Sequence, residues 1–103
     1  MAIDHCVFFK RRAEASDAEI EQVMDLLASI TKRLDGASEF RASPNISPEG
    51  FDVGYKDGFI VGFADANVRD IYLVDEEHQR AGAKLVSLCE NGTEGLLVFD
   101  LEV

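Results

Sequence analysis

The run Ile3-Asp4-His5-Cys6-Val7-Phe8-Phe9-Lys10 is apolar on both of the faces that a β-strand presents. Side chains alternate along a strand, so Ile3, His5, Val7 and Phe9 point one way and Asp4, Cys6, Phe8 and Lys10 the other. A strand of this kind belongs in a sheet that is covered on both sides. The chain has 103 residues, which fits one domain over 1–103 with no length for a second. At that size a domain buries roughly 65% of the surface its unfolded chain exposes, enough for one modest core.

The rest of the chain supplies cover for one side. Ser16-Asp17-Ala18-Glu19 is a capping box, in which a hydroxyl and a carboxylate satisfy free amides at a helix start. Ile20, Val23, Met24, Leu27, Ile30 and Leu34 then recur at helical spacing, Lys32 and Arg33 suit the C-terminal end of the dipole, and Gly36 is a left-handed stop. A short strand is expected over Ala37 to Ala42. The turn-forming stretch Pro44 to Gly50 follows, then a third strand from Tyr55 to Ala64. In that strand Asp57, Phe59, Val61 and Phe63 share one face, and Gly58, Ile60, Gly62 and Ala64 the other. Asp65 caps a helix to about Leu73, with Val68, Ile71 and Tyr72 inward. Asp75 caps another from Glu76 to about Cys89, and Asn91-Gly92-Thr93 reads as a turn. Leu96 to Val103 is the last strand.

The order is β-α-β-β-α-β with a broken second helix. It predicts an α+β, ferredoxin-like protomer whose antiparallel four-stranded sheet carries its helices on one face. The other face would expose Cys6, Phe8, Ile60 and Leu96 or Leu97, a contiguous apolar patch of the kind that marks an interface. The simplest cover is a second copy, giving a homodimer with sheet against sheet.

Charge narrows the partners. Twenty acidic residues against ten basic give −10, which repels phosphate backbones and anionic headgroups and argues against nucleic acid and membrane partners. No segment approaches the ~20 apolar residues of a membrane span. Asp4 and His5 interrupt any signal-like core behind Met1, so the expected location is cytoplasmic. Cys6 and Cys89 lack metal-like spacing and read as free, buried thiols. No motif for a cofactor or a metal site is present.

Several stretches together resemble the stress-responsive A/B barrel (dimeric α-β barrel, Dabb) domain over essentially the whole chain. They are Ile3 to Lys10, Pro44 to Gly50 with Gly54-Tyr55, Tyr72-Leu73 with His78, and Val98-Phe99-Asp100. The resemblance implies a ferredoxin-like protomer and a homodimer whose sheets form a barrel, in a family that includes plant stress proteins and a polyketide cyclase. It also implies a pocket between sheet and helices, with Tyr72 and His78 at the positions that promote the cyclase's aldol closure and His5 at another pocket position. The sequence departs from the family in having Asp75-Glu76-Glu77-His78 where His-Pro-x-His is frequent, and Asp57 where the cyclase has a histidine.

Six residues along one straight helix lie about 240° apart, so Tyr72 and His78 meet only if the helix breaks at Val74-Asp75. The expected chemistry has His78 removing a proton alpha to a carbonyl while Tyr72 hydrogen-bonds the enolate oxygen. His5 and Asp57 would line the pocket, walled by Val7, Phe9, Met24, Phe59 and Val61. At the start of a helix the dipole favours neutral imidazole, whereas Asp75, Glu76 and Glu77 favour the protonated form; the sequence leaves that balance open. The enzymatic expectation is thus a cofactor-free lyase, cyclase or isomerase acting on a small carbonyl-containing metabolite. The alternative is a non-catalytic, stress-related homodimer that binds a small apolar ligand.

Overall fold

Helix α1 (Asp17–Arg33) starts at the capping box. The Glu19 amide donates to Ser16 Oγ at 3.1 Å and the Ser16 amide donates back to Glu19 Oε1 at 3.0 Å. Loss of such a cap costs about 1 kcal/mol. The helix buries Ile20, Val23, Met24, Leu27, Ile30 and Thr31, and Leu34 closes it as C-cap. Gly36 follows at φ +87°, and a Cβ there would meet Val68 Cγ2 at 2.8 Å, so both backbone and packing require glycine.

The computed structural model describes residues 1–103. Four strands, β1 (Ile3–Phe9), β2 (Arg41–Pro44), β3 (Asp57–Phe63) and β4 (Leu96–Glu102), form one sheet in the order β2-β3-β1-β4. Every neighbouring pair is antiparallel. Helices α2 (Ala66–Val74) and α3 (Glu76–Leu88) follow β3, and a 3₁₀ turn (Gly92–Gly95) leads into β4. This is the expected α+β, ferredoxin-like arrangement.

The face of the sheet bearing Val7, Phe9, Phe59, Val61 and Phe63 packs against α1 and α3 residues such as Leu27, Ile30 and Leu85 to make the core. The outer face bears Phe8, Ile60, Leu97, Phe99 and Leu101, matched across β3, β1 and β4 by register. Phe8, Leu97, Phe99 and Leu101 are exposed and Ile60 is half-buried. Leu97 is the outward residue, because Leu96 pairs with Phe9 and packs against the core. Cys6 is buried, in line with its reading as a buried thiol and against its placement by strand parity in the exposed patch. Both cysteines are free.

Two strands and one helix face differ in substance from the sequence reading. The second strand runs over Arg41–Pro44 rather than Ala37 to Ala42. Ala37 makes only an isolated bridge to Phe63, and Ser38 exchanges hydrogen bonds with Gly62 through its amide and hydroxyl, which holds 37–40 out of the ladder. The third strand begins at Asp57, since Tyr55 and Lys56 belong to a loop whose amide and carbonyl bond Asp52 and Asn45. On α2, Tyr72 is the buried residue, while Ile71 is 56% exposed rather than inward.

No helix is long and apolar enough to cross a membrane.

Candidate active site

Asp75 makes the corner on which the site depends. It ends α2 and starts α3, with extended dihedrals of φ −61° and ψ 132°, and its Oδ1 accepts the His78 amide at 3.0 Å. The break turns α3 so that His78, in its first turn, returns over Tyr72, in the last turn of α2. The two rings lie 4.1 Å apart, tilted by 43°. From β1, His5 brings its ring edge-on to Tyr72 at 5.9 Å, and Phe63 packs on Tyr72 at 5.1 Å.

Two atoms of this cluster stand out. Tyr72 Oη and His78 Nδ1 are both buried, and neither has a hydrogen-bond partner. By contrast, His5 is satisfied: its Nδ1 lies 2.7 Å from Asp100 Oδ1, and Asp100 Oδ2 accepts from Arg69 Nη1 at 3.2 Å. That contact fixes the orientation of the His5 ring.

The electrostatics follow from burial. Desolvation pushes the Tyr72 hydroxyl well above the usual phenol range, with the Asp75 charge adding to it, so Tyr72 remains a donor. Desolvation also lowers the His78 pKa from 6.5, against the Leu73 backbone, which favours the protonated ring. Burial thus weighs on the side of the neutral ring. Arg33 pairs with Asp75 at 2.7 Å and with Glu77 at 2.9 Å, which offsets the acids around His78. Hydrogen bonding by Arg33, chiefly, holds the Asp75 carboxyl at about 2.

The other sequence-derived positions divide by register. Val61 lies opposite His5 and so beside the cluster. Phe9 and Asp57 are paired at the opposite end of the sheet, four residues along β1, ~14 Å away at ~3.4 Å per residue. There Asp57 accepts two 2.9 Å bonds from Arg11, which also reaches Asp17 at 2.6 Å. Asp57 is thus held in a salt bridge, away from Tyr72 and His78. Val7, Phe9, Met24, Phe59 and Val61 are all buried in the core. Sequence reasoning missed Asp100 and Arg69; strand parity, which puts Asp100 on the face of Leu96 and Val98, was the available signal for the first.

A hollow of about 640 Å³ lies on the outer side of the sheet, beneath the loop between β2 and β3. Another, of about 440 Å³, lies between the end of α1 and residues 37–40. Neither is lined by Tyr72 or His78. No group of three or more His, Cys, Asp or Glu side chains is arranged to hold a metal ion.

A family model described as the stress responsive A/B barrel domain matches residues 3–103. The solved structure of a dimeric ferredoxin-like protein of unknown function from Jannaschia sp. CCS1 is 38% identical, with 100% of each chain covered and a TM-score of 0.94. An Arabidopsis thaliana protein is 17% identical at a TM-score of 0.86, covering 98% of this chain and 94% of its own. A hydroxynitrile lyase from Passiflora edulis is 13% identical at a TM-score of 0.86, covering 99% and 93%. At those lower identities the likeness is one of fold. No curated protein matches the chain.

Proposed function

The chain belongs to the stress responsive A/B barrel domain family, and from that premise we propose that it is a homodimeric proton-transfer enzyme. Its reaction is of the lyase, cyclase or isomerase type, on a small carbonyl-containing metabolite, with side chains carrying the proton.

The observation that carries this reading is the pair of buried, unpartnered atoms Tyr72 Oη and His78 Nδ1 on rings 4.1 Å apart. Leaving a buried polar atom unpaired costs about 1–3 kcal/mol, and native chains leave few of them. Two such atoms side by side are explained by a ligand that supplies the missing partners. One is a donor kept protonated by burial and the other a nitrogen kept neutral by burial, which is the pairing that enolate formation needs.

In the proposed step His78 takes the proton from the carbon alpha to the substrate carbonyl. The C–H electron pair becomes the new carbon–carbon π bond, and the carbonyl π pair moves to oxygen, where Tyr72 donates a hydrogen bond. Collapse of the enolate then attacks an electrophile, expels a leaving group or takes the proton back from His78 at another carbon. His5, oriented by Asp100, forms the third side of the site. The Passiflora edulis neighbour gives a precedent for lyase activity on this fold, without indicating the substrate.

The homodimer reading rests on the outer sheet face. Phe8, Leu97, Phe99 and Leu101 lie exposed there in a chain of net charge −10, and the strand residues around them include few charges, Asp4 and Arg41. The solved relative from Jannaschia sp. CCS1 is described as dimeric.

A turnover screen on β-keto and cyanohydrin substrates, followed by His78→Ala, tests the chemistry. Loss of a general base should lower kcat about 1,000-fold. Unchanged turnover in His78→Ala ends this reading.

A further inference from the structure

The loop joining β2 to β3, residues 45–56, is cross-tied by its own hydrogen bonds. Asp52 accepts from the Gly54 amide at 2.8 Å, from Asn45 Nδ2 at 2.9 Å and from Lys56 Nζ at 2.7 Å. Asn45 closes the base, donating its amide to the Lys56 carbonyl at 2.8 Å and accepting the Ser47 amide at 2.9 Å. Val53 sits at φ +56°, a left-handed conformation that a β-branched residue rarely adopts. So ordered a loop should bury its apolar groups, yet Ile46, Phe51 and Val53 are 87%, 81% and 78% exposed.

Two of these side chains, Ile46 and Phe51, reach the outer sheet face. Ile46, Phe51 and Tyr55 line the 640 Å³ hollow together with Phe8, Ile60 and Leu97 of the sheet. Loop and sheet thus make one continuous apolar surface.

We infer that the loop is a docking arm for the second copy, so that each protomer grips its partner with Ile46 and Phe51 as well as with the sheet. The inference rests on the homodimer proposed above and specifies its contact surface.

Area argues for it. Three strands of seven residues and one of four, at ~4.8 Å spacing and ~3.4 Å per residue, present a face of roughly 400 Å². A standard interface buries about 800 Å² on each partner. The apolar loop beside the sheet is positioned to extend that contact.

The experiment compares the full-length chain with Ile46→Ser/Phe51→Ser by light scattering and sedimentation over a concentration series, with far-UV circular dichroism on each. A dimeric parent and a folded double variant whose dimer is about 100-fold weaker support the arm. A double variant that dimerises as tightly as its parent overturns the arm and leaves the homodimer standing. A monomeric parent overturns both. If the double variant fails to fold, Ile46→Ser alone decides: the side chain is 87% exposed, so the change should weaken the dimer several-fold with the fold intact, and an unchanged dimer overturns the arm. Native mass spectrometry closes the test, because a small molecule bound to the parent dimer and lost from the double variant would overturn the second copy as the occupant of this surface.

Discussion

The inner face of the sheet carries a buried polar grouping at each end, and the two are built differently. At one end Asp57 is held by Arg11 through paired 2.9 Å bonds, with Asp17 joined to the same guanidinium. At the other, Tyr72 and His78 meet at 4.1 Å and leave an oxygen and a nitrogen without partners. Both groupings sit beside the same apolar core. The satisfied one ties the start of β3 to the start of α1 and is explained by folding alone. The unsatisfied one lowers stability and needs another explanation, which is why function is assigned to that end.

Removing Arg11 should break the contrast most sharply. Arg11→Ala leaves the Asp57 carboxylate, 9% exposed, in the core edge without its counter-ion. Loss of one partner from a buried pair costs about 3–5 kcal/mol, and the partial exposure of Arg11 places the expected cost near the lower figure, about 3 kcal/mol. A urea titration reads this as a lower midpoint at unchanged slope. Turnover per folded molecule should stay at the parent level. A folded Arg11→Ala protein without activity would mean that the Asp57 end also belongs to the site.

How far each grouping could be read from the sequence depends on what brings its members together. Tyr72 and His78 are six positions apart, and the cap-forming Asp75 between them signals the corner that lets them meet. Asp57 and Arg11 are separated by 46 residues and His5 and Asp100 by 95; no local pattern encodes such pairs, which exist only once the register of β3 and β4 against β1 is set. Strand parity gives a residue's face but not its place along the strand, so it puts Asp57 on the side of His5 without showing that the two lie at opposite ends. Helix faces were legible for α1, where the apolar stripe is long and begins at a capping box. For α2 a single buried residue, Tyr72, defines the inner side, and periodicity assigned Ile71 inward as well. The short edge strand β2, exposed at every position, carries almost no apolar signal of its own.

Tyr72→Phe sharpens the comparison from the other end. It removes the orphan hydroxyl while keeping the ring that packs on Phe63 and His78. Deleting an unpaired buried polar atom should raise stability by about 1 kcal/mol, while loss of the enolate donor lowers kcat by roughly 100-fold. Opposite changes in thermal midpoint and turnover are expected. A destabilised Tyr72→Phe would mean that the hydroxyl is satisfied in solution, and the case for a ligand-seeking pair would weaken.

The smallest expected effect is in the pH dependence, and it separates the site from the acids around it. Burial, above all, depresses the His78 pKa below its unfolded value of 6.5. Between those two values the unfolded chain binds more protons than the folded one, so stability rises with pH. It is fully held above about 6.5 and lost as pH falls through the depressed folded value. Asp75 titrates lower: hydrogen bonding by Arg33 holds it at about 2 against an unfolded 3.8, so its contribution is present above 3.8 and lost only as pH falls through about 2. Urea midpoints of the parent and of His78→Gln, measured across pH 4 to 8, should therefore differ in slope just below 6.5. If the two profiles are parallel there, His78 is not buried in its neutral form. The same neutral form places the acidic limb of kcat/KM below 6.5, so activity should survive mild acid that would protonate an ordinary histidine.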